Sequence, residues 1–278
     1  MIKFCHIAPT KYLSTLTSSN GAHLLLAHLI EEDGDYLRYY QDLDDGKPRI
    51  LDNSAFELFK QKRDMYSIDR LIELGSLVGA DCIVMPDHPN ERGEKTIDAA
   101  RESIYVLRSE GFKTFFVPQS MEGDLDDYLR TFRWAIENAH IDLIGVSILG
   151  APNAFGVLQN RTQRILSRWT IMRALEDQGA LDPLYDRKRL HFLGMLDGPK
   201  EIALVGRYHS YIYSWDSSGP VWFGLNGGIY DSSPTGQRGG KFKLDVDFDY
   251  EAADEKHVEY AMQNISYVDR MILNRGFE

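Results

Sequence analysis

The sequence predicts an α/β fold, a (β/α)8 TIM-type barrel built as a single domain over residues 1–278. Three observations lead there. Short apolar runs that read as strands alternate with amphipathic stretches that read as helices, the pattern of a parallel sheet with crossover helices. An open doubly wound sheet would be expected to carry a nucleotide fingerprint after its first strand, and neither GxGxxG nor a Walker-type loop is present. Three aspartates, Asp52, Asp87 and Asp216, each come after an apolar run. A strand buried on both faces has no room for a carboxylate, because an unpaired charge in low dielectric is strongly disfavoured. A carboxylate at a strand end can face a cleft, and acids on separate strand ends are the layout of a barrel active site.

The elements follow in order. Residues 3–7 read as a first strand and 12–32 as mostly helix, with Leu24, Leu25, Leu26, Leu29 and Ile30 packed inward. Residues 49–51 are a second strand, and 67–78 an amphipathic helix with Ser67 as N-cap and Asp69 in its first turn. A third strand spans 82–85, followed by a helix over 96–110 that Gly111 closes. Strand 114–117 and helix 125–138 come next, then strand 143–147 and helix 161–178. Residues 191–193 are a sixth strand, 199–205 a short helix opened by Pro199, 211–213 a seventh strand and 252–273 the closing helix. The candidate for the eighth strand is 242–246, whose alternation also suits a hairpin or an edge. Residues 219–240, rich in Gly, Ser and Pro, read as a long loop, either a functional lid or partly disordered.

Composition narrows the function. An apolar share of 43% suffices for a sizeable core. A formal net charge of -11 argues against a generic polyanion binder, although a local basic patch stays open. The two cysteines, Cys5 and Cys82, fall in strands and read as small core residues; without a CxxC pair there is no cysteine-rich zinc site. His6, His23, His88 and His191 have no HxH or HExxH spacing, so neither a metal nor another cofactor is expected. There is no apolar h-region at the start and no run of 18 apolar residues, so a soluble cytoplasmic protein with no membrane partner is expected.

In a closed barrel the strand ends would ring one mouth. They offer Asp52, Asp87 with His88, Gln119 after Val117-Pro118, the turn from Gly145 to Gly150, Gly194 to Gly198, and Asp216. Each aspartate also has a turn reading, as an Asx-type bond at Asp52, a loop residue at Asp87 and a cap or turn at Asp216. Arg161, Arg164 and Arg168 lie at i, i+3 and i+7 on one helix face, either a solvated face or a track of phosphate contacts.

These residues resemble the tRNA-guanine transglycosylase family. Leu51-Asp52-Asn53-Ser54-Ala55-Phe56 is similar to its segment carrying a catalytic acid. Gly79-Ala80-Asp81-Cys82-Ile83-Val84-Met85-Pro86-Asp87 resembles the one ending in the acid that reads the guanine edge. Val117-Pro118-Gln119 is similar to its Val-Gln segment, and Ile144-Gly145-Val146 to a shortened form of its glycine-rich turn. Leu193-Gly194-Met195 with Gly198-Pro199-Lys200-Glu201-Ile202 resembles its Met-Gly run, and Ser214-Trp215-Asp216 falls where the family has its nucleophile. The resemblance covers roughly residues 50 to 220 in order. The family's zinc cluster is absent and the chain is shorter, which looks more like the compact, phage-associated branch that acts on DNA. Glycines of the family's segment after the catalytic acid are missing, where this chain has Asn53, Ser54 and Ala55.

The resemblance implies replacement of guanine in DNA by a free 7-deazaguanine base. Asp216 would be the nucleophile forming a covalent glycosyl-enzyme, Asp52 the general acid/base, and Asp87, Gln119, Gly145 and Val146 the base-binding set. The target nucleotide would be flipped or single-stranded. The same exchange on tRNA is the close alternative, and a metal-independent barrel glycosidase acting on a small substrate is the other. A homodimer is compatible with the family, and a phage-encoded chain would work in the host cytoplasm.

Overall fold

The computed structural model describes residues 2–158, 160–186, 189–195, 198–233, 236–239, 246–251 and 254–273. The eight strands of its main sheet are β1 (Lys3–His6), β2 (His23–Leu26), β3 (Arg49–Asp52), β4 (Cys82–Val84), β5 (Lys113–Phe116), β6 (Leu143–Ser147), β7 (Arg189–Leu193) and β8 (Ile212–Ser217). Their order in the sheet is β1-β8-β7-β6-β5-β4-β3-β2, with helices intervening along the chain. The first strand pairs in parallel with the last, Cys5 opposite Asp216. This cyclic neighbour order of parallel strands is that of a barrel, nearly closed, with β1 and β2 at the two ends of the order. The fold is therefore the expected (β/α)8, TIM-type barrel.

The chain packs as two compact units, Leu24–Phe192 and Met1–His23 with Leu193–Glu278. In the first, β3 to β6 pair in parallel, and Leu51, Ile83, Val84, Phe115, Phe116, Ile144 and Phe192 are buried. Strands apolar on both faces are what a helix-covered parallel sheet demands. The helices carry the caps that their sequences announce. Ser67 accepts from Arg70 N ahead of Ile68–Leu77, and Asp124 accepts from Asp127 N ahead of Leu125–Glu137. In the second unit, Phe4, Cys5 and Trp215 are buried in β1 and β8, and the closing helix, Glu255–Leu273, buries Ala261, Val268 and Met271 as it packs against the helix Gly219–Leu225. Both cysteines are buried, as expected of small core residues.

Three expectations need correction. The helix expected over 12–32 is interrupted. A short helix, Leu13–Leu16, ends at Thr17; a strand, His23–Leu26, follows; a second helix, Ala27–Glu32, comes after it. Asn20 makes the break, because its side chain accepts from His6 N at 2.8 Å and donates to His6 O at 3.1 Å, satisfying backbone groups at the end of β1. The Leu24-Leu25-Leu26 run is buried on both faces, and a short run of that kind cannot be told from helix by periodicity. The eighth strand is thus β2; residues 242–246, proposed for it, lie outside the described residues except for Val246.

The second correction concerns 219–240. Its described part holds a helix, Gly219–Leu225, and a hairpin of β9 (Gly228–Tyr230) with β10 (Gln237–Gly239). Pro220 starts the helix at a position where a missing N–H costs nothing. Buried Asn264 ties helix and hairpin together, donating to Pro220 O and Gly228 O and accepting from Tyr230 N. The third correction is that Asp216 lies inside β8, not beyond the strand.

The helix Gly219–Leu225 lies against the closing helix at Gly224, where a Cβ would lie 2.3 Å from Ala261 backbone atoms. Gly224→Ala should therefore cost roughly 1–3 kcal/mol by overpacking. Gly34→Ala, at an open helix start with nothing nearer than 3.6 Å, should be neutral or stabilise by up to about 1 kcal/mol. Urea unfolding of both variants checks the contrast.

Candidate functional site

The ends of β3, β4 and β5 converge on one carboxylate. Met85 extends the ladder of β4 by one bond to Phe115 O, and Pro86, lacking an N–H, stops it. Asp87 follows, buried. Asn53 Nδ2 donates to its Oδ1 at 2.8 Å and to Met85 O at 2.8 Å. Gln119 Nε2 donates to its Oδ2 at 2.5 Å. Burial pushes the Asp87 carboxyl up from 3.8 to about 6, against the pull of the two amides. Gly150 lets this packing close: a Cβ there would lie 3.0 Å from Pro118 O and 3.1 Å from Gln119 Oε1. The sequence-predicted pair Asp87 and Gln119 is thus brought together, with Asn53, which sequence reasoning missed.

Asp52 is the last residue of β3 and half-buried. Its Oδ1 accepts from Ser54 N at 2.7 Å, so the Asx-type turn is real. The next bond repeats the pattern, Ala55 N donating to Asn53 Oδ1 at 2.9 Å. Ser54 adopts φ 56°, ψ 27°, a left-handed conformation uncommon outside glycine, just before the helix Ala55–Gln61. Its hydroxyl meets His28, whose backbone N lies at 3.2 Å and Nδ1 at 2.9 Å. Both residues are buried, and burial lowers the affinity of the His28 imidazole for a proton. Nothing in the sequence links positions 28 and 54; the contact follows from the strand β2 inside the expected helix.

Gly145 and Val146 lie within β6, buried. Val146 O accepts from Arg168 Nη1 at 3.0 Å. Arg168 is fully buried, its guanidinium 4.9 Å from the centre of the Phe192 ring. Arg168 therefore belongs neither to a solvated face nor to a track of phosphate contacts. Arg168 is an internal tie between the helix Arg161–Asp177 and β6. The Arg164 Nε is buried, and the side chain of Arg161 lies outside the described residues.

Asp216 belongs to the other compact unit. It is buried in β8 and accepts from Gly194 N at 3.1 Å, while the neighbouring Trp215 Nε1 donates to Gly194 O at 2.8 Å. Gly194, at φ 71°, thus meets β8 with both its backbone groups. The charge of Asp216 adds to burial in raising the Cys5 thiol across the β1–β8 pair. Among the described residues, no group of three or more His, Cys, Asp or Glu side chains could hold a metal ion. No helix among them is long and apolar enough to cross a membrane.

No family model and no curated protein matches the sequence. Solved structures do resemble the fold. A tryptophan synthase alpha chain from Legionella pneumophila aligns at TM-score 0.53 and 12% identity, over 100% of this chain and 94% of that one. A putative fructose-1,6-biphosphate aldolase from Coccidioides immitis aligns at 0.51 and 12%, over 99% and 91%. A mutant tryptophan synthase alpha-subunit from Pyrococcus furiosus aligns at 0.50 and 12%, over 79% and 90%. At such identity the likeness is one of fold, and function has to be argued from the site.

The Asp87 carboxyl titrates higher in the fold than in the unfolded chain, so the native state binds more protons between 3.8 and about 6. Its contribution to stability must then fall as pH rises through that window, by about 3 kcal/mol in total. The difference in unfolding free energy between wild type and Asp87→Asn, measured from about pH 4 to about pH 7, should drift by that order in favour of the variant. A flat difference would contradict the assignment.

Proposed function

We propose that this chain is a base-exchange transglycosylase of the compact, DNA-acting type, replacing guanine by a 7-deazaguanine in the cytoplasm. The observation that carries the proposal is the Asp87 carboxylate held between the Asn53 and Gln119 amides at the ends of β3, β4 and β5. Guanine offers two adjacent donors, N1–H and the exocyclic amine, and an ionised carboxylate accepts both. Before the base binds, Gln119 Nε2 satisfies Asp87. A base that donates to Asp87 displaces that amide, which then turns to donate to the base carbonyl.

Asp216 attacks C1′ of the flipped nucleotide; the bond from C1′ to guanine N9 breaks as the aspartyl ester forms. Asp52 supplies the proton that the departing base takes up. The incoming 7-deazaguanine gives its N9 proton to Asp52 and attacks the same carbon. Asp216 leaves, and the two displacements retain the anomeric configuration. Gly194 N–H holds one oxygen of the Asp216 carboxylate throughout.

Labelled guanine, supplied with single-stranded DNA, duplex DNA and tRNA in separate reactions, tests the proposal. Incorporation into DNA is expected, lost by at least about 1,000-fold in Asp216→Asn. Asp87→Asn should lower kcat/KM by roughly 100-fold. Incorporation into tRNA alone would keep the chemistry and overturn the substrate. No incorporation into any of the three would overturn the transglycosylase.

A further inference from the structure

Ser54 stands in the left-handed region, where a serine is strained by about 1–2 kcal/mol and a glycine is not. A turn alone would be served better by glycine. What the serine adds is its hydroxyl, wholly buried against His28. The backbone N–H of His28 can only donate, so Ser54 Oγ accepts from it, and a second hydrogen bond joins the same oxygen to His28 Nδ1. The two bonds hold the imidazole in one orientation against the serine. Burial disfavours the charged ring; Glu32 opposes this and Arg63 reinforces it. The backbone N–H of the same Ser54 donates to Asp52 Oδ1 at 2.7 Å. His28, Ser54 and Asp52 thus form one hydrogen-bonded chain ending on a carboxylate, and the residue between Ser54 and Asp52 is Asn53, the partner of Asp87.

We propose that His28 and Ser54 are positioning residues for Asp52, holding its carboxylate at the angle from which it exchanges a proton with the leaving and entering base. The proposal rests on the role given to Asp52 in the transglycosylase reaction. Neither residue touches the base: both act through Ser54 N–H and the turn it fixes.

The test is guanine exchange in wild type, His28→Ala, His28→Asn and Ser54→Gly, each first shown to unfold cooperatively. His28→Ala and Ser54→Gly should lower kcat about 10- to 100-fold, as misplaced catalytic groups do, with KM for the base within about twofold of wild type. In His28→Asn the side-chain amide stands near the place of Nδ1 and can bond the Ser54 hydroxyl as donor or acceptor, so kcat should return to within about threefold of wild type. Ser54→Gly keeps the left-handed turn, which guards against a variant that merely fails to fold. An active wild type with kcat unchanged in both His28→Ala and Ser54→Gly would overturn the positioning role and leave the transglycosylase standing. Equal losses in His28→Ala and His28→Asn would overturn it too, since rescue is what the hydrogen bond requires. A wild type silent on every nucleic acid would instead overturn the reaction itself, and this role with it.

Discussion

A buried carboxylate held by two side-chain amides is the constraint around which the Leu24–Phe192 unit is arranged. Asp87 sits where a charge is expensive, and its environment shows that expense as a raised proton affinity. The two amides reduce the cost only if they arrive from fixed places. Asn53 is fixed because its Nδ2 also reaches Met85 O and its oxygen accepts from Ala55 N. Gln119 is held in a space that Gly150 leaves open and that any larger residue would fill. The ends of β3, β4 and β5 are therefore tied to each other by side chains as well as by the sheet. The strained Ser54 belongs to the same arrangement, since the turn it makes places Asn53 on one side and Asp52 on the other.

A barrel of this kind serves many chemistries, and the solved structures of similar fold include enzymes of unlike reaction. The functional argument for this chain rests on the groups at its strand ends: acceptor carboxylates, side-chain amides and glycines. Acceptors beside amides suit a planar edge with its own donors and acceptors, such as a purine. In the proposed reaction, the backbone N–H that holds the Asp216 carboxylate inside β8 would keep the nucleophile in one direction through two displacements.

Much of the fold was legible in the sequence, because alternating strands and amphipathic helices leave a periodic trace and Ser67, Pro199 and Gly111 mark helix ends by local chemistry. The eighth strand was not, because three consecutive leucines suit a buried strand and a buried helix equally. The sequence pattern puts Asp216 beyond its strand because Ser214 and Asp216 interrupt the apolar run; Gly194, distant in sequence, supplies the donor that lets the acid stay inside. The helix and hairpin after residue 219 were hidden by glycines and serines, and depend on Asn264 more than 30 residues away. At the site, Asp87 with Gln119 was legible as a pair of strand-end polar residues. Asn53 and His28 were not, since their contacts arise only once β2, β3 and β4 lie side by side. Arg168 misled, because the spacing of a helix face does not say which side is turned inward.

The most direct test of the central claim is to find the ester. Wild-type protein would be mixed with a guanine-containing single-stranded oligonucleotide, quenched under denaturing conditions and digested, and the modified peptide identified by mass spectrometry. A base-less nucleotide remnant on Asp216, absent in Asp216→Asn, is the result predicted. A remnant on another carboxylate such as Asp52, or none on a protein that still exchanges guanine, would contradict the covalent role of Asp216.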